Sequence, residues 1–126
     1  MLNNDTIVAL ATAQGVGAIG VIRLSGAQAF AITNKVFRGK NLNNQASHTI
    51  HYGHIAEGER VIDEVMVSLF FFFCSFTTED VVEISCHGSP FIAEQIIRLL
   101  IQNGARAAKP GEFTLRAFMN GRIDLS

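Results

Sequence analysis

Cysteine is scarce in these 126 residues, and Cys74 and Cys86 are the only two. Two cannot build a disulfide framework, and both lie in apolar runs, which points to buried free thiols in a reducing compartment. Net charge is also nearly absent, with ten Lys and Arg against eleven Asp and Glu giving −1. That excludes binding of nucleic acid by bulk positive charge. Long apolar runs are missing. The longest, over 65–74, is interrupted by Ser68 and falls short of the ~20 residues that span a bilayer. The opening MLNNDTIVALATA has no basic stretch ahead of its apolar one, so no secretory signal is expected. Internal repeats and low-complexity linkers are absent too. What is present is 48% apolar residues, only 17% charged ones and a mean hydropathy of +0.28. This composition excludes intrinsic disorder and predicts a single cytoplasmic domain over 1–126, with no membrane partner.

The charges are unevenly placed. Residues 57–83 hold seven acids and one base, whereas 98–122 hold five bases and one acid. Two solvated patches would explain this; so would two segments converging on a polar ligand that needs both signs.

Local patterns predict the elements. A buried strand is expected over 7–11, then a glycine-rich turn over 14–20. A second strand over 21–24 puts Val21 and Arg23 on one face and Ile22 and Leu24 on the other. Ser25 is placed to cap a helix over 27–37, with Phe30, Thr33, Val36 and Phe37 near one face. Strands follow over 49–56, 61–73 and 81–86. The helix over 89–103 has Ser89 at its cap, Pro90 at its first position and Gly104 just beyond, where a positive φ is needed. A short extended segment over 105–109, a Pro110-Gly111 turn and a helix over 112–119 complete a compact α+β domain, a mixed sheet packed with about three helices.

Several constellations bear on chemistry. Gly15-Val16-Gly17-Ala18-Ile19-Gly20 matches a dinucleotide pattern, but a strand follows it where phosphate binding needs a helix N-terminus. Its glycines instead suit a tight turn or close backbone approach to a ligand. On a strand, His48 and His54 face one way and His51 the other. With His87 and Cys86 they give no zinc spacing, so no metal site is expected. Glu83 sits on a mostly apolar strand, where a carboxylate needs donors to offset desolvation. It either pairs with an arginine or recognises a ligand edge carrying adjacent N–H groups, as on a pterin or guanine. Arg23, also on an apolar strand, suits a carboxylate or polarised carbonyl, or an internal ion pair.

Three groups of residues together resemble a known family. They are Asp5-Thr6-Ile7-Val8-Ala9 with Gly15, Gly17, Gly20 and Arg23-Leu24-Ser25-Gly26; then Ser75-Phe76-Thr77, Glu79-Asp80-Val81-Val82-Glu83-Ile84 and His87-Gly88; and lastly Pro110-Gly111-Glu112-Phe113-Thr114-Leu115-Arg116-Ala117-Phe118, Asn120-Gly121 and Asp124-Leu125. In this order they look like the N-terminal domain of the tRNA-modification GTPase MnmE (TrmE) family. The resemblance implies a dimerising α+β domain like the folate-binding part of the glycine-cleavage T protein. It implies a bound reduced folate, with 5-formyltetrahydrofolate standing in for 5,10-methylenetetrahydrofolate, the one-carbon donor. It carries folate contacts onto Arg23, Glu83 and Arg122, with Gly15 and Gly17 allowing close backbone approach. It also implies a homodimer, the flavoprotein MnmG (GidA) and tRNA as partners, and C5 of the wobble uridine as the modified position. The GTPase domain, with its GTP, Mg²⁺ and K⁺, has no counterpart in these residues, so the chain is not expected to be an active enzyme alone.

One stretch departs from the family. Its usual Pro-Asn-Ser-[Tyr/Phe]-Thr-Gly-Glu reads Phe73-Cys74-Ser75-Phe76-Thr77-Thr78-Glu79 here. That departure favours the alternative, a structural dimerisation domain whose folate site is degenerate. A free-standing aminomethyltransferase-like enzyme would need a second domain to close over its substrate.

Overall fold

The computed structural model describes residues 5–12, 19–71 and 79–121. Within them, strands β1 (Ile7–Leu10), β2 (Ile19–Ser25), β3 (Phe37–Arg38), β4 (Thr49–Glu57), β5 (Arg60–Phe70), β6 (Val81–His87) and β7 (Arg106–Ala107) form one sheet, ordered β3-β4-β5-β6-β2-β1-β7. The described pairings are antiparallel except β1 with β7, which run parallel. Helices α1 (Ala29–Val36), α2 (Pro90–Gln102) and α3 (Glu112–Met119) complete the expected α+β fold.

Alternation along the central strands separates the two sheet faces. Ile22 and Leu24 of β2, Val65, Val67 and Leu69 of β5, and Val82, Ile84 and Cys86 of β6 are buried. They form one core with Ala29, Ile32 and Val36 of α1 and Ala93, Ile96, Leu99 and Leu100 of α2. Each fully buried Leu or Ile contributes about 1.5–3 kcal/mol. The 61–73 run is thus a two-faced strand up to Phe70, with Glu64 and Met66 turned away from the core. Residues 72 and 73 lie outside the described residues.

The helix ends show which local signals hold. Pro90 opens α2, and Gly104, at φ 119°, follows its C-cap Asn103 as expected. Ser89 stands at the N-cap, but its hydroxyl makes no capping bond. Ser25 does not cap α1. It is the last residue of β2, paired with Ile7 and Val81, and its Oγ donates to Glu79 at 2.9 Å. The N-cap is Gln28, whose N–H donates to Thr6 Oγ1 at 3.0 Å. At the other end, Phe37 leaves the expected helix to pair with Ile55 of β4, because the ladder offers partners that another helical turn would not.

Gly26 links β2 to α1 at φ 145°, a conformation L side chains rarely adopt. A Cβ there would lie 2.7 Å from Thr6 Cα and 2.6 Å from its Oγ1. Gly26→Ala should therefore cost about 2–4 kcal/mol through backbone strain and overpacking. Urea unfolding checks this, and a loss below about 0.5 kcal/mol would show that the link relaxes freely.

Candidate functional site

On the sheet face turned away from α1 and α2, alternation lines up Ile19, Val21 and Arg23 of β2 with His87, Ser85 and Glu83 of β6. Arg23 and Glu83 are direct neighbours across the ladder. Arg23 Nε donates to one carboxylate oxygen, Oε2, at 2.9 Å, and Nη2 lies 2.8 Å from the same oxygen. Among the described residues the other oxygen, Oε1, accepts no hydrogen bond. The Glu83 side chain keeps 29% of its exposure. The ring of Phe113, from α3, lies 5.7 Å from the Arg23 guanidinium carbon. Of the two readings of these residues, the structure shows the internal ion pair.

α3 is held at this end of the face by an ion network. Arg106 donates to Asp5 Oδ2 at 2.5 Å and to Glu112 Oε2 at 2.5 Å. Arg116 donates to Asp5 Oδ1 at 2.8 Å and to both oxygens of Glu79 at 3.2 and 3.1 Å. Lys109 N–H adds a bond to Glu112 Oε1 at 2.8 Å. Through Glu79 and Arg116, the acidic and basic segments do meet, but around each other. The Arg106 guanidinium, by donating hydrogen bonds, holds the Asp5 and Glu112 carboxyls below their ordinary values, against the opposing effect of burial. A lowered folded-state pKa contributes stability that is complete above the unfolded value and is lost as pH falls through the folded one. Stability should therefore decline below about pH 4.5, the unfolded carboxyl range. Glu112→Gln should shallow that decline, as acid titration followed by circular dichroism would show; an unchanged slope would remove Glu112 from the network's account.

At the far end of β6, His87 of that face meets Asp63, whose side chain turns inward from β5 on the core side. Asp63 accepts the His87 backbone N–H on Oδ2 at 2.8 Å and contacts His87 Nδ1 through Oδ1 at 2.6 Å. The Asp63 side chain is 7% exposed and the His87 side chain 66%. A hollow of about 310 Å³ lies beside them, lined by Ile19, Tyr52, Glu64, Met66, Ser85 and His87 among others. Tyr52 OH donates to Glu64 at 3.0 Å, which raises the phenol pKa. Asp63 carried no local signal beyond its position two residues before Val65 in the apolar strand, on the side that turns inward.

The other sequence candidates are less central. Gly15, Gly17 and Arg122 lie outside the described residues, as do Cys74 and most of the glycine turn. Burial, reinforced by the charge of Asp63, pushes the Cys86 thiol up to about 11, so at neutral pH it is an inert core group. His48 sits ahead of β4 at φ 61°, with its ring edge against Phe70, while His51 is buried within the strand. Among the described residues no group of three or more His, Cys, Asp or Glu is arranged to hold a metal ion. No helix among them is long and apolar enough to cross a membrane.

An α+β domain with a braced carboxylate on its open sheet face has clear relatives. The chain belongs to the family described as GTP-binding protein TrmE N-terminus, which matches residues 6–122. It is 60% identical over 124 residues to the tRNA modification GTPase MnmE of Cytophaga hutchinsonii, covering 98% of this chain and 27% of that protein. It is 60% identical over 122 residues to the MnmE of Streptococcus thermophilus, with 97% and 27% covered. Against that of Flavobacterium johnsoniae the identity is 56% over 129 residues, with 100% and 28% covered. The chain thus spans about a quarter of the length of these curated relatives.

Proposed function

We propose that this domain binds a reduced folate and pairs with a second copy of itself, as the N-terminal part of a tRNA-modifying GTPase. The observation that carries the folate reading is the Glu83 carboxylate, with Oε2 braced by Arg23 and Oε1 left open. A pteridine presents adjacent N–H donors along one edge, and an ionised carboxylate accepts such a pair. Arg122, with Gly15 and Gly17, would complete the contacts. The folate supplies a one-carbon unit when bound; the domain's own residues position it. In the whole protein that unit would be destined for C5 of the wobble uridine of tRNA, with the flavoprotein MnmG as partner. GTP, Mg²⁺ and K⁺ would belong to the remainder of the chain seen in the relatives. Self-association is supported by neighbouring apolar side chains left in solvent on one face, Ile50 (62% exposed) and Tyr52 (61%) of β4 with Met66 (46%) of β5 opposite Tyr52.

Calorimetry with 5-formyltetrahydrofolate tests the first part and sedimentation the second. Saturable binding by a dimer is expected, and a folded dimer that takes up no folate would overturn the folate reading. The departure from the family pattern over 73–79 favours the rival reading, a dimerisation domain with a degenerate site. A dimer whose melting temperature does not rise with folate would select it.

A further inference from the structure

The net charge of −1 conceals a local excess. Between Asp5 and Glu57 the chain carries no acid, yet Arg23, Lys35, Arg38 and Lys40 all fall in that stretch. The ion pairs sort the cations further. Arg23, Arg60, Arg98, Arg106 and Arg116 each have a carboxylate partner. Among the described residues Lys35, Arg38, Lys40 and Lys109 have none. Lys109 follows β7 at one edge of the sheet, whereas the other three gather around β3 at the opposite edge.

All three of these residues are exposed. Arg38 reaches back over the end of α1 and donates from Nη1 to the Lys35 carbonyl at 3.5 Å, so its charge sits on the turn that carries Lys35. That bond leaves most of the guanidinium N–H groups to a partner. The backbone beneath is fixed: Val36, Phe37 and Leu42 are buried, and Asn34 Oδ1 accepts the Leu42 N–H at 2.7 Å. Like charges gathered with no acid among them repel, and a polyanion relieves that repulsion. Next to Lys40 the surface turns to carboxamides, with Asn41, Asn43 and Asn44 exposed on the short 3-10 turn and its cap. Phosphates take cations, while base edges and 2′-hydroxyls take carboxamides, so the two side by side fit RNA.

We propose that Lys35, Arg38 and Lys40 form a contact surface for the phosphate backbone of RNA, with the Asn41–Asn44 turn beside it. The proposal rests on the tRNA part of the proposed function and gives that part a place on the domain. Strands β4 and β5 separate this edge from the Arg23–Glu83 pair, so RNA and folate do not compete.

The test uses the 126-residue chain and a short anticodon stem-loop RNA carrying a fluorescein label, followed by anisotropy. Three phosphate contacts should hold the RNA with a dissociation constant on the order of 10–100 μM, and raising the salt from about 50 to about 200 mM should weaken it roughly 20- to 40-fold. Changing Lys35, Arg38 and Lys40 together to Gln should weaken binding at the lower salt at least about tenfold and flatten the salt dependence, with the melting temperature unchanged. Lys40→Gln alone should lower the salt slope by about one, and Lys109→Gln, at the other edge, should leave binding as it was. Calorimetry with 5-formyltetrahydrofolate should give the same affinity for the triple variant as for the unaltered chain. RNA binding that survives the triple variant overturns this surface and leaves the tRNA reading standing. No RNA binding by the unaltered chain at about 50 mM salt overturns it as well, and the folate reading is then judged by its own calorimetry. Polyglutamate that binds as tightly as RNA, with the same loss in the triple variant, overturns the RNA assignment and gives the patch to an acidic protein.

Discussion

Replacing Arg116 by methionine should lower the stability of the domain by about 3–5 kcal/mol, the cost of taking one partner out of a buried ionic network. The guanidinium is 7% exposed and donates to Glu79 and Asp5, with Glu112 3.8 Å away. Methionine fills much of the same volume, so the loss reports the stranded carboxylates and not a cavity. Asp5 and Glu112 keep Arg106, and Glu79 keeps the Ser25 hydroxyl. For a domain of this size the melting temperature should fall by roughly 10–20 °C. Arg116→Lys keeps the charge but not the fork that spans two carboxylates, and should lie between the two proteins. Denaturant melts of the three decide the matter; a loss under about 1 kcal/mol for methionine would mean that α3 is held by its apolar contacts alone. Because α3 carries Phe113 beside Arg23, the same variant should also loosen the Arg23–Glu83 pair.

Glu83→Gln should weaken binding of 5-formyltetrahydrofolate by about 10- to 100-fold, which corresponds to one charge-assisted hydrogen bond of roughly 1.5–3 kcal/mol. The amide keeps the shape and one carbonyl acceptor, but it loses the charge that both Arg23 and the ligand use. Its effect on stability should be small, about 0–1 kcal/mol, since the two side chains keep 35% and 29% of their exposure. That contrast is the discriminating measurement. Affinity lost at constant melting temperature marks Glu83 as a binding residue. Melting temperature lost at constant affinity marks it as one half of an ion pair and nothing more.

The elements that can be read along the chain are those whose signals are local. Pro90 and Gly104 bracket α2 because a missing N–H and a positive φ are properties of single residues. α3 runs over Glu112–Met119, as its pattern predicts, with Gly111 and Gly121 both at positive φ on either side. Arg23 and Glu83 stand out for a similar reason: a charge on an apolar strand is anomalous wherever the strand lies. What misleads is a residue with two good local options. Ser25 is a fair helix cap, and Phe37 a fair last helical residue. Each goes instead to a sheet ladder whose other members are distant in sequence.

The sequence by itself determined the α+β class, the strand faces, the family and the two charged residues at the heart of the proposed site. Each of these depends on spacing within a few residues, or on motifs kept in order. The tertiary structure alone decided who meets whom. Arg23 and Glu83 are 60 residues apart, and Arg116 and Asp5 are 111 apart. The inward turn of Asp63 toward His87 likewise follows from the β5–β6 register, which the hydrophobic core sets. Partners of this kind are chosen by the packing of the whole sheet, because the energy that selects the register is shared among all the buried side chains and belongs to no one segment.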